Sequence, residues 1–370
     1  MMNITLPPLS LYIHYPWCVK KCPYCDFNSH EGNNRDGYIT ALLNDLDQEL
    51  SYVQNRTIHS IFIGGGTPSL MSEEDLSKLF EGLRLRLNFD ENIEITLETN
   101  PGTFEIEKFK AFKQIGINRL SIGVQSFNDQ NLKTLGRIHS AEEALNACIQ
   151  AGNIFDNFNI DLMYGLQAQT TDECLSDLQQ ALDLNPTHIS FYQLTIEPNT
   201  LFAKFPPLLP KEDEIFSMGK AGVNLLEQHG FSRYEVSAFG KIPSKHNINY
   251  WEFGDYIGIG AGAHGKITLA QEQKIIRTLK SKAPKDYIEN CKKTTELIEN
   301  PAFEFMLNAL RLKQGFDESL FSNRTGKPLS LIHDKLDKAK DLELLKQCGS
   351  KLIPTQKGFN FLNDLQALFL

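Results

Sequence analysis

The chain has 370 residues, 41% of them hydrophobic and 22% charged, the balance of a folded globular protein and not of a disordered or membrane-embedded one. A formal net charge of −9 without clustered Lys and Arg speaks against a nucleic-acid partner, and the short run Lys280, Lys282, Lys285 reads as a solvated face. No stretch approaches roughly 18 apolar residues, and residues 1–8 carry no leader pattern, so a cytoplasmic protein that is not an integral membrane protein is expected.

From the start to about residue 265 the pattern is strand, then helix, repeated. β-Branched and aromatic runs predict strands at 11–14, 60–63, 93–97, 119–124, 158–162 and 188–194. Between them, apolar residues at three- and four-residue spacing predict helices over 38–53, 73–87, 104–114, 141–151 and 171–184. Ser72 before Glu73, Glu74 and Asp75 reads as an N-cap with an acidic first turn, and Gly116 and Gly152 as C-terminal glycines. Strands alternating with helices imply an α/β fold of parallel strands with right-handed crossovers; the period alone does not choose between open sheet and barrel. Beyond Gly265 charge rises and helical patterns dominate, at 301–312, 331–345 and 359–370, with a short strand and turn predicted around 350–358.

Each predicted strand ends in polar or special residues. The first runs into three cysteines and the second into Gly64-Gly65-Gly66-Thr67-Pro68. The third ends at Glu98-Thr99-Asn100, the fourth at Gln125-Ser126, the fifth at Asp161 with Tyr164-Gly165, and the sixth at Gln193 and Thr195. Polar groups at the carboxyl ends of parallel strands are how α/β folds assemble sites.

Seven cysteines in a reducing compartment do not suggest a disulfide framework. Cys18, Cys22 and Cys25 form C-x3-C-x2-C in one loop; Cys148, Cys174, Cys291 and Cys348 are scattered and read as small buried hydrophobes. Three thiolates bind a cubane iron–sulfur cluster and leave one iron open. Structural zinc would want a fourth ligand, with His14 or His30 as the candidates.

This spacing resembles the signature of the radical S-adenosylmethionine superfamily. Residues 119–129, Leu135-Gly136-Arg137 and residues 159–167 are similar to its oxygen-independent coproporphyrinogen III oxidase group, over most of the chain. The resemblance implies a partial (β/α)6 TIM-like barrel of parallel strands over residues 1–265, a linker at 266–300, and a smaller, mainly helical, winged-helix-like domain at 301–370. It implies a [4Fe–4S] cluster on Cys18, Cys22 and Cys25, whose open iron chelates S-adenosylmethionine for cleavage to a 5′-deoxyadenosyl radical. For S-adenosylmethionine it implies Tyr12, Gly65, Gly66, Thr67, Glu98, Gln125, Arg137, Asp161 and His264, the last with Ala263 in a loop over the adenine.

That group has two branches, porphyrinogen-decarboxylating oxidases and haem-binding chaperones. The oxidases carry a fourth cysteine where this chain has Phe27, and an N-terminal arm, whereas 17 residues precede Cys18 here. His246-Asn247-Ile248-Asn249-Tyr250-Trp251 matches the HNxxYW motif of the haem-binding branch, which implies His246, Asn247, Tyr250 and Trp251 as haem residues. A neutral imidazole suits haem iron, and Tyr and Trp offer flat faces to a macrocycle. Haem as cargo, haem-accepting respiratory proteins and an electron donor such as a flavodoxin or ferredoxin are therefore the expected partners. The alternative is an oxygen-independent coproporphyrinogen III oxidase; a radical enzyme acting on RNA is disfavoured by the acidity.

Overall fold

The computed structural model describes residues 4–32 and 35–370, so the first three residues of the N-terminal stretch fall outside it. Seven parallel strands form the centre: β1 (Leu9–Tyr15), β2 (Ile58–Gly65), β3 (Phe89–Thr99), β4 (Arg119–Gln125), β5 (Phe158–Tyr164), β6 (His188–Gln193) and β7 (Asp255–Ile259). Their order is β7-β1-β2-β3-β4-β5-β6, with β7 parallel to β1. The six expected strands are all present. β7 was not anticipated, because its five residues (DYIGI) are too short to signal a strand against the surrounding glycines.

The strands are nearly continuous apolar runs because both faces are covered. Helices Tyr38–Glu49, Glu73–Arg84, Ile106–Ile115, Ala141–Ile154 and Thr171–Asp183 pack on the sheet through Leu42, Leu46, Leu79, Phe80, Phe109, Phe112 and Leu178. Their starts obey local chemistry. Ser72 accepts from the Asp75 amide, while Ser140 with Glu143 and Thr170 with Glu173 form capping boxes. Gly116, at φ +134°, ends its helix as expected, but Gly152 lies inside the last turn of Ala141–Ile154.

The alternation does not give way to helix at Gly265, and residues 266–300 are not a linker. Antiparallel strands His264–Leu269, Lys274–Lys280 and Lys293–Leu297 extend the sheet beyond β7. Lys280 is consequently not a solvated residue: it is buried and ion-paired with Asp45 and Glu49 of the first helix, while Lys282 and Lys285 are exposed. At the other edge, the short strands Ala238–Gly240 and Ser232–Arg233 follow β6, so the sheet remains open.

The C-terminal part contains helices Pro301–Ala309, Glu318–Thr325, His333–Asp341, Gln356–Asn360 and Leu362–Ala367 with a three-stranded antiparallel sheet. Lys351–Pro354 supplies the anticipated strand, and Gly358 belongs to a helix instead of a turn. Its core joins Phe305, Phe321 and Leu365 to Ile4, Phe253, Ile275 and Ile298. Of the scattered cysteines, Cys148 and Cys174 are buried, Cys291 is half-buried and Cys348 is exposed, the last contrary to its reading as a buried hydrophobe. Among the described residues no helix is long and apolar enough to cross a membrane.

Candidate functional site: two cavities that share the cysteine loop

The cysteine loop leaves the carboxyl end of β1 and is held in shape by its own polar groups. Trp17 and Cys18 pair in parallel with His30 and Glu31, the Lys21 amide donates to Glu31 (2.8 Å), and Lys21 Nζ donates to the Phe27 carbonyl (3.0 Å). The glycine turn after β2 docks against it: Gly66 N donates to Tyr15 O and Thr67 N to Trp17 O, both at 2.7 Å. A side chain at Gly66 is excluded, since its Cβ would lie 2.5 Å from the Trp17 carbonyl oxygen.

All three cysteines line a cavity of about 360 Å³ with Gly65, Gly66, Thr67, Glu98, Gln125, Arg137 and Asp161. Arg137 approaches the Cys22 thiol (3.6 Å) and donates to the Gly123 carbonyl at 2.6 Å. Gln125 takes the left-handed backbone region (φ +73°), and its side-chain oxygen accepts from Tyr192 at 2.6 Å. Two carboxyls share this space. Burial, with the Asp161 charge nearby, pushes Glu98 up to about 7, against the Gly65 amide that donates to it at 3.1 Å. Burial likewise raises Asp161, against its hydrogen bonds from Asn159 and Ser121. Cys18 and Cys25 are raised by burial, with Ser29 and, at Cys18, Thr67 hydrogen-bonding in opposition.

This donor set fits a cluster better than zinc. His14, one candidate for a fourth ligand, has both ring nitrogens engaged: Nε2 donates to the Asn28 carbonyl (2.9 Å), leaving Nδ1 to accept from Tyr12 (2.8 Å). His30 has its Nε2 3.3 Å from the Asn28 side-chain oxygen.

A second cavity, of about 840 Å³, adjoins the first and shares Cys25 and the 59% exposed Phe27 with it. Helix Lys245–Trp251 presents His246, Asn247, Tyr250 and Trp251 to this space, so all four HNxxYW side chains come together. Glu94 of β3, itself buried, seats the helix: its carboxylate accepts from Ser244 Oγ (3.0 Å), Lys245 N (3.1 Å) and His246 N (3.2 Å). The His246 ring stacks on Phe62 (4.8 Å between centroids), and Tyr250 stacks on Tyr256 (4.8 Å). His246 Nδ1 is buried with no hydrogen-bonding partner among the described residues, as is Trp251 Nε1. Burial, aided by the His59 and Arg119 charges, lowers His246 to about 3, so the ring stays neutral.

Seven of the nine residues expected around S-adenosylmethionine therefore meet in the smaller cavity. Tyr12 and His264 do not; they line the larger one with His246, and Ala263 is buried beside it. Ser121, Ser190, Tyr192 and Tyr24 in the smaller cavity, and Phe62, Asn28 and Tyr256 in the larger, were not singled out. A serine or aromatic residue in a strand looks like packing until its facing direction is known, and no local signal separates the two.

The fold and the three-cysteine pocket define a radical S-adenosylmethionine protein. The Radical SAM superfamily matches residues 12–181 and the HemN C-terminal domain residues 299–361. In fold the chain is similar to the coproporphyrinogen III oxidase HemN of Escherichia coli, with a TM-score of 0.82 at 22% identity over 98% of this chain and 90% of that one. It is 46% identical to the haem chaperone HemW of Escherichia coli (99% of each chain) and 47% identical to that of Haemophilus influenzae (99% and 98%). With that of Bacillus subtilis it shares 33% identity over 98% and 99% of the two chains. The chain belongs to the HemW family of haem chaperones.

Proposed function

We propose that this protein carries haem in the larger cavity, with His246 as iron ligand, and hands it to acceptor proteins, the cofactors residing in the smaller cavity next door. The superfamily uses a [4Fe–4S] cluster and S-adenosylmethionine; here Cys18, Cys22 and Cys25 would hold the cluster. Gly65, Gly66, Thr67, Glu98, Gln125, Arg137 and Asp161 would hold the sulfonium ligand, with Tyr12 and His264 contributing from the larger cavity's side. When bound, the reduced cluster supplies one electron for reductive cleavage of the sulfonium. The chain's own residues orient the ligand: Arg137 offers a cation to a carboxylate, and Asp161 accepts from sugar hydroxyls. A low-potential donor of the flavodoxin or ferredoxin kind, respiratory acceptors and a cytoplasmic location complete the reading.

The observation that carries it is His246: a neutral imidazole with a buried, unpartnered nitrogen, flanked by flat aromatic rings at a cavity large enough for a macrocycle. Because the ring is already neutral, haem binding needs no proton release and should vary little between about pH 6 and 8. Titration with ferric haem tests the assignment. His246→Ala should lose the axial-ligand absorbance and at least about tenfold in affinity, equivalent to about 1.4 kcal/mol; an unchanged spectrum would take His246 out of the mechanism.

A further inference from the structure

Between the two cavities runs a chain of buried polar side chains whose middle members, His188 and Tyr234, line neither cavity. At one end is Asp161 of β5, in the wall of the smaller cavity. Its two carboxylate oxygens accept from Asn159 Nδ2 (2.8 Å) and Ser121 Oγ (3.1 Å), and Asn159 Nδ2 also donates to Ser121 (2.8 Å). Both Asn159 amide protons are thereby used, which leaves its oxygen as acceptor, for Ser190 Oγ (3.2 Å) and His188 Nδ1 (2.6 Å). His188 must therefore carry its proton on Nδ1. Burial, with the Arg119 charge nearby, holds the ring neutral, so Nε2 is an acceptor.

Among the described residues only one group reaches that nitrogen, the Tyr234 hydroxyl at 2.9 Å. Tyr234 must donate to it, and its oxygen then accepts from Asn247 Nδ2 (3.1 Å) and from the Ser244 amide (3.4 Å). Every bond in the chain Asn247, Tyr234, His188, Asn159, Asp161 thus points the same way, each donor aimed toward the Asp161 carboxylate. His188 and Asn159 are each 1% exposed and Tyr234 is 7% exposed, so water does not relieve a broken member. At the far end, Ser244 and Asn247 are the N-cap and third residue of the helix that carries His246.

We propose that Tyr234 and His188 are positioning residues that couple the two cavities, so that a sugar-bearing ligand on Asp161 and a haem beside Asn247 alter each other's affinity. The inference rests on the occupants assigned above. A ligand donating hydroxyls to Asp161 competes for the charge that orders the whole chain. The cost falls on the contacts of Asn247 and Ser244 with Tyr234, next to His246 on a seven-residue helix whose other N-terminal anchor is Glu94. The coupling is reciprocal by thermodynamic necessity.

The test uses full-length protein with its cluster reconstituted anaerobically and left oxidised, so that S-adenosylmethionine stays intact. Ferric haem is titrated by absorbance with and without saturating S-adenosylmethionine, and S-adenosylmethionine by equilibrium dialysis with and without haem. The two affinity ratios should be equal and about fivefold or more. Tyr234→Phe, which keeps the ring and deletes only the link, should bring both ratios to about one while each ligand alone still binds. Tyr287→Phe, an equally buried hydroxyl bonded to Asp45 instead, should leave the ratios unchanged. Independent binding in the wild type, or a coupling that survives Tyr234→Phe, overturns the proposal and leaves the haem-carrier reading standing. Failure of the wild type to bind haem removes that reading and the coupling with it.

Discussion

Glu98 and Asp161 line one small cavity, where burial already raises both carboxyls and two like charges cannot both be fully ionised without penalty. The folded state therefore holds a proton on Glu98 through a range in which the unfolded chain has lost it. With a folded value near 7 against an ordinary 4.5, this contribution to stability is full below about pH 4.5 and lost as pH rises through 7. Its size is bounded at about 3 kcal/mol. Chemical denaturation of cluster-free protein from pH 5 to 8 should show that decline, and Glu98→Gln should flatten it; an unchanged slope would place the proton elsewhere. The cysteines offer a sharper contrast. Three ligands are the minimum for a cubane with an open iron, so replacing any one of Cys18, Cys22 or Cys25 by Ser should abolish the cluster. Iron and sulfide content after anaerobic reconstitution measures this, and a variant with a full complement would contradict the assignment.

The seven-residue helix Lys245–Trp251 is too short to be stable by its own hydrogen bonds. What holds it is two adjacent strands: Glu94 of β3 gathers three donors at its N-terminus, and Phe62 of β2 supports the His246 ring. Glu94→Gln puts an amide donor among those donors and removes the charge, at a cost of about 1–3 kcal/mol. Amide exchange across residues 245–251 should rise and haem affinity should fall, while exchange in β1 stays as before. A variant in which both regions loosen together would show that Glu94 serves the sheet as a whole and not this helix.

Across the whole molecule, the strands beyond β7 link the sheet to the C-terminal part through the Arg277–Glu304 ion pair, and to the first helix through Lys280. Lys280 reaches from Lys274–Lys280 to Asp45 and Glu49 of the first helix, where Tyr287 and the Gly260 amide also hold Asp45. Lys280→Met leaves Asp45 without a cation, although Lys293 still pairs with Glu49 at 3.0 Å. A loss of about 3–5 kcal/mol in denaturant unfolding is expected. A loss under 1 kcal/mol would mean that Tyr287 and Gly260 suffice.

The parts of this protein that lie close together in sequence were readable from it. C-x3-C-x2-C, the glycine turn, HNxxYW and the capping residues each fall within one loop or one helical turn, and alternating periods marked the first six strands. Tertiary structure decided what depends on facing and distance. It assigned Tyr12 and His264 to the cavity of His246, buried Lys280 against partners more than 230 residues away, and aligned Asn247 with Asp161 through Tyr234 and His188. Local order follows from short-range sterics and hydrogen bonding, which neighbouring residues specify. A cavity wall is made of strand ends brought together by crossovers, and no residue type alone announces which wall it will face.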